Sequence, residues 1–157
     1  MTISTIEAQA RRGFPFKQLI GDPLWQRLVG RIVKDHSHQG IDEELAQRII
    51  NEALAFLNLC AIQNETAYGP SELVDIGWHT FILYTKEYAA FCDRVAGRFL
   101  HHNPNDEPGQ LSAHSVLYET VAALREIGPV DEMLWADAAN CNNHDCIEPG
   151  CDPTCSN

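Results

Sequence analysis

No stretch of this sequence approaches the ~18 consecutive apolar residues of a membrane-spanning helix, so an integral membrane protein is not expected. The N-terminal region holds Arg11 and Arg12 but no apolar run after them, so no secretory signal is expected either. Basic residues are scarce. There are 11 against 22 acidic ones, a net charge of -11, which argues against a general nucleic-acid role. Lys and Arg vanish altogether from Asp131 to Asn157, where six carboxylates lie. Strand-like alternation and internal repeats are both missing. So are a nucleophile elbow, a phosphate loop and a His-Glu-x-x-His pair, any of which would name a chemistry.

What is present fits one domain. A chain of 157 residues buries roughly two-thirds of its unfolded surface on folding, so its core needs no metal or disulfide staple. The 45% apolar and 21% charged residues are ordinary for a globular protein. Charge is uneven: Arg11, Arg12, Lys17, Arg27, Arg31 and Lys34 face only Glu7 and Asp22 before Asp35, a net +4. A basic first helix lying against an acidic remainder is the preferred reading, with a binding face for an acidic partner as the other.

Helical periodicity runs through the body. Asp22-Pro23 starts a first helix carrying Leu24, Leu28 and Ile32, which runs to about His36 before Gly40 breaks the chain. A longer second helix begins near Asp42, with Leu45, Ile49, Ala53, Leu57 and Cys60 on one face, and ends near Asn64. Ser71 caps a third helix with Val74, Trp78, Phe81 and Leu83. Thr85 caps a fourth with Tyr88, Phe91, Cys92 and Val95, stopped by Gly97. Ser112 opens a fifth with Val116, Leu117, Val121 and Leu124, and a short sixth runs from about Asp131 to Ala139. The fold class is therefore all-α: a compact bundle of five to six helices over residues 1–140, followed by an irregular Cys-rich tail over 141–157.

Chemistry concentrates in two places. Asp75 and His79 are four residues apart, so on a helix they share a face and hydrogen-bond or bind one ion together. An Asp that accepts from one imidazole nitrogen fixes the tautomer and frees the other for a metal or a proton, with Trp78 as a shield against water. The bland alternative is an imidazole held by its neighbour in a core. His101 and His102 follow the fourth helix, and one of them is expected to fold back toward His79 while the other points out; His102 is the candidate ligand. An exposed pair in a loop is the other reading. His36 and His38 suit a helix C-terminus, and His114 is read as structural.

The tail is the second place. Cys141, His144, Cys146, Cys151 and Cys155 crowd the last 17 residues, and a tetrahedral zinc needs four such donors. Thiolate-rich sites also suit copper(I) or iron-sulfur clusters, and a reduced, disordered tail or a redox pair are the alternatives. A mixed site, with tail thiolates joining His79 and His102, would tie this coreless segment to the bundle.

The stretch from Leu73 to Cys92 resembles the shared domain of the glycine-rich domain-containing proteins. The likeness rests on the Val74-Asp75-x-x-Trp78-His79 core, the Tyr88-x-x-x-Cys92 spacing and Gly97. It implies a small bacterial-type member without a glycine-rich tract, a helical fold and a site at Asp75 and His79. The sequence departs from that family's Trp-His-x-His form, because Phe81 stands at the second histidine. No enzymatic activity carries over with the resemblance. The sequence thus predicts a cytoplasmic metal-binding helical protein, zinc first. A metal-dependent enzyme with Asp75 and His79 as catalytic residues, and an interaction module docking a protein partner through its acidic Cys-rich end, are the alternatives.

Overall fold

The computed structural model describes residues 14–63, 65–103 and 113–136, without the side chains of 113 and 114. Five α-helices follow in order: α1 (Asp22–His36), α2 (Glu43–Ile62), α3 (Glu72–Ile82), α4 (Thr85–Ala96) and α5 (Ala113–Ile127). Two short 3-10 turns, Pro15–Leu19 and Ser37–Gln39, precede and follow α1. No strand occurs among the described residues, and the all-α expectation holds.

Two of the expected caps are in place. The Asp42 carboxylate accepts from the Leu45 backbone N–H at 2.9 Å, and the Ser71 hydroxyl accepts from Val74 N–H at 3.2 Å. Two others shift by one residue. Gly21, at a φ of 76°, precedes α1, so Asp22 sits in the first turn beside Pro23. Tyr84 precedes α4 without a side-chain cap, and Thr85 is the first residue of the helix. Gly97 ends α4 in the left-handed conformation, as expected. The Ser112 cap and the tail lie outside the described residues.

The architecture is four helices and the Pro15–Leu19 turn gathered around α2, which packs against every one of them. That central position explains its composition. Ile49, Ala53, Leu57 and their neighbours Ala46, Ile50, Leu54, Phe56 and Leu59 are all buried. By length and composition α2 is apolar enough to cross a membrane, which the sequence reading did not anticipate; Arg48 and Glu52 interrupt it, and other helices cover its apolar sides. Cys60, at the far end, is half-buried, and burial pushes its thiol pKa up to about 12, so it is an inert packing residue.

Three of the four described basic residues before Asp35 are paired. Arg27 reaches Glu87 on α4 at 2.8 Å, Lys17 meets Asp22, and Arg31 pairs with Asp35 on its own helix. Among the described residues, the acidic remainder therefore meets α1 through one cross-helix ion pair.

The end of the described chain is fastened to α2 by two prongs of matching spacing. Arg48 forks onto the Asp131 carboxylate at 2.6 and 2.9 Å, and the Trp135 indole donates to Glu52 at 2.8 Å. Ser71 adds a third tie by donating to the Leu134 carbonyl at 2.6 Å. Where a sixth helix was expected to start, residues 132–135 form turns, with Leu134 N–H bonded to Asp131 and Trp135 N–H to Glu132; Ala136 is helical, and the rest of the expected helix, to Ala139, lies outside the described residues. The side chains of Asp131 and Trp135 are drawn onto α2 there.

Glu52 is buried, and loss of solvent raises its carboxyl pKa; the Trp135 indole, the Asp131 backbone and the Asn51 amide pull it back down. A raised folded-state value means that the folded protein holds a proton the unfolded chain releases. The stability this contributes is complete below the unfolded value and is lost as pH rises through the folded one. Glu52→Gln keeps an acceptor for Trp135 and is expected to flatten that decline in urea titrations run between pH 4 and 8. An unchanged slope would show that Glu52 does not carry it.

Candidate functional site

The site is built on α3. Its residues alternate faces with helical period, so Val74, Gly77, Trp78 and Phe81 turn inward while Asp75 and His79 turn out. The inward face sits close on α2. A Cβ placed on Gly77 would lie 2.8 Å from the Ala53 Cβ and 3.1 Å from the Ile49 carbonyl oxygen. Glycine is thus required where the two backbones meet. Trp78, packed on Phe56 with ring centres 5.2 Å apart, fills the space beside it.

Asp75 and His79 meet as the spacing predicts, with Asp75 Oδ2 3.1 Å from His79 Nδ1. The third member arrives from the segment after α4. His102 places Nε2 2.7 Å from Asp75 Oδ1; its ring stacks on that of His79 with centres 4.4 Å apart and lies tilted against Trp78 at 4.3 Å. One carboxylate therefore bridges two imidazoles. Because a carboxylate only accepts, the bond between His102 and Asp75 is donated by His102 Nε2. His102 is the more covered of the two histidines, its side chain 20% exposed against 60% for His79.

His101 goes the other way. It is exposed and lies against Phe99, with ring centres 4.8 Å apart. His36 and His38 stack near the end of α1, at 6.5 Å, and His36 Nδ1 is buried without a hydrogen-bond partner. The side chain of His114, and Cys141, His144, Cys146, Cys151 and Cys155, fall outside the described residues.

Asp75, His79 and His102 each offer a ligand atom, and these three lie within 4.8 Å of one another. Tetrahedral zinc with bonds of ~2.1 Å holds its donors about 3.4 Å apart, so the set must tighten by roughly an ångström to grip an ion. His79, the exposed member, has the freedom to do so. Two imidazoles and a carboxylate suit zinc and also iron(II), and leave further coordination positions for water or another ligand.

Sequence reasoning found all three of these residues but missed what holds them. Gly77 was passed over, although a glycine inside a helix beside Asp75 and Trp78 signals close approach. Tyr88 was read only as a core repeat, whereas its hydroxyl bonds both Trp78 and the chain leading to His102.

A family model described as UCP032817-like matches residues 17–115, taking in α1 to α4 and all three site residues. The chain belongs to this UCP032817-like family. That finding overturns the resemblance to the glycine-rich domain-containing proteins. The residues behind it, an Asp, a Trp and a His within one helical turn, arise wherever a helix buries a Trp and turns an Asp–His pair outward. No curated protein and no solved structure matches the chain.

The two neighbouring histidines give a direct check. His102→Ala removes a ring packed against Trp78 and a bond to Asp75, and is expected to cost about 1–2 kcal/mol in chemical denaturation. His101→Ala should stay within about 0.5 kcal/mol of the parent. Equal losses would contradict the arrangement described.

Proposed function

We propose that this member of the UCP032817-like family binds one divalent transition-metal ion, zinc first, through Asp75, His79 and His102. One observation carries the reading: a carboxylate and two imidazoles from separate parts of the chain converge with their donor atoms within 4.8 Å. A core histidine needs one partner, and here two histidines share one acid. An ion held there would take one oxygen of Asp75 and one ring nitrogen from each of His79 and His102.

The tail enters this proposal through its point of attachment. Leu134 is tied to Ser71, one helical turn before Asp75, so the end of the described chain is held at the start of the helix that carries Asp75 and His79. Four protein donors would make the site structural, and three would leave it open to water and favour the metal-dependent enzyme. A further reading, an interaction module docking a protein partner, draws on the acidic end of the sequence alone. The reading takes the protein to work in a reducing compartment such as the cytoplasm, where the free thiols Cys60 and Cys92 persist.

The test is a zinc titration by calorimetry of the full chain, with melting temperature read alongside. One equivalent should bind and raise the melting temperature, and a chelator should reverse it. In the full-length chain carrying Asp75→Asn, His79→Ala and His102→Ala together, that equivalent should be lost. Zinc retained there but lost when Cys141, Cys146, Cys151 and Cys155 become Ser would move the site to the tail. No zinc in the parent chain would sink the metal reading and leave Asp75 as a clasp for the 97–103 segment.

A further inference from the structure

We propose that Trp78 and Tyr88 are positioning residues for the metal site: their hydrogen-bond relay sets where His102 stands and so how tightly the ion is held. This rests on the reading of Asp75, His79 and His102 as ligands. The Trp78 indole N–H donates to the Tyr88 hydroxyl at 2.8 Å, and that hydroxyl donates to the Leu100 carbonyl at 2.6 Å. Leu100 lies two residues before His102, and both it and Tyr88 are buried. The ring of Trp78 then backs the ring of His102 directly. The same pair of aromatics thus grips the His102 segment twice, once by its backbone and once by its imidazole.

A plain core role does not account for the hydroxyl. Phe in place of Tyr88 would keep the edge-on contacts with Phe81 at 5.1 Å and Phe99 at 5.3 Å. What it would lose is the relay. Burial pushes the Tyr88 phenol well above its usual range, so the hydroxyl stays protonated and keeps donating. Asp75 and His79 need no such device, because one helix carries both. His102 is the member on irregular chain, and it receives the support.

The relay also explains the direction of the segment. Gly97 ends α4, the Arg98 guanidinium donates to the Cys60 carbonyl at 2.9 Å, and Leu100 turns into the core. Without the bond to Tyr88, the Leu100 carbonyl is a buried acceptor with no partner, and the chain relaxes to hydrate it. His102 moves with it. Groups that orient metal ligands from behind are worth 10–100-fold in affinity when removed.

The experiment is a double-mutant cycle in the full chain, read by cobalt(II) absorption as the optical stand-in for zinc. Tyr88→Phe is expected to weaken cobalt(II) binding about 10–100-fold and to shift the visible bands toward those of His102→Ala. In the His102→Ala background, Tyr88→Phe should have no further effect on cobalt(II) affinity. That non-additivity supports a role through His102, whereas additive losses overturn the proposal and leave Tyr88 a stability residue. An unchanged affinity in Tyr88→Phe also overturns it. Leu124→Ala, a buried change on α5, should lower stability and leave the cobalt(II) spectrum intact. If Tyr88→Phe fails to fold, Trp78→Phe replaces it in the same cycle, since the relay and the ring contact both act through His102. Failure of the parent chain to bind cobalt(II) and zinc would instead reject the metal reading on which the relay depends.

Discussion

Everything at the site depends on one close contact between two helices. Gly77 lets α3 settle against Ala53 and Ile49 of α2 until the backbones nearly touch, closer than any side chain would allow. A helix held that near has no freedom to roll. Its inward stripe is then fixed as Val74, Gly77, Trp78 and Phe81, and the outward position of Asp75 and His79 follows from helical geometry alone. Overpacking such a contact costs about 1–3 kcal/mol in well-packed cores, a useful gauge of how firmly the rotation is set. The rest of the site is built outward from that rotation.

The same contact delivers Trp78 into the core with its indole N–H facing α4. A buried indole needs an acceptor, and Tyr88 supplies one while passing its own proton to Leu100. Hydrophobic packing and polar satisfaction thus do one job between them. Packing fixes α3, and the polar relay carries that fixed position to the start of the segment holding His102. The Arg48–Asp131 and Glu52–Trp135 prongs do the equivalent for the end of the described chain, drawing it onto α2 and, through Ser71, onto the start of α3.

Much of the fold was legible because its signals are local. The caps at Asp42 and Ser71, the stop at Gly97 and the apolar periods of α1 to α5 need no knowledge of the tertiary structure. The Asp75–His79 pair was legible for the same reason, since four residues on a helix determine who meets whom. His102 was named on weaker grounds, as one of two adjacent histidines that must diverge, and the structure shows which one turns in. Where the sixth helix was expected to begin, residues 132–135 form turns, with Asp131 and Trp135 held by Arg48 and Glu52, 83 residues away, and Ala136 is helical. Gly77 and Tyr88 escaped for a related reason: their meaning lies in what another element brings against them. The family resemblance failed at the opposite extreme, since a motif confined to one helix reports the helix and says little about ancestry.

Scale shows why His102 needs more than its own bond to Asp75. The two residues are 27 apart, and closing a flexible loop of that length costs roughly 3 kcal/mol. One hydrogen bond to a carboxylate returns about 1.5–3 kcal/mol, so the clasp alone would be open much of the time. Most of that closure is achieved elsewhere, by Phe81 and Tyr88 joining α3 to α4 and by the bond from Tyr88 to Leu100. Only the short run beyond Leu100 is left for Asp75 to order. The fold itself therefore brings His102 to Asp75, and the clasp has only to hold it there.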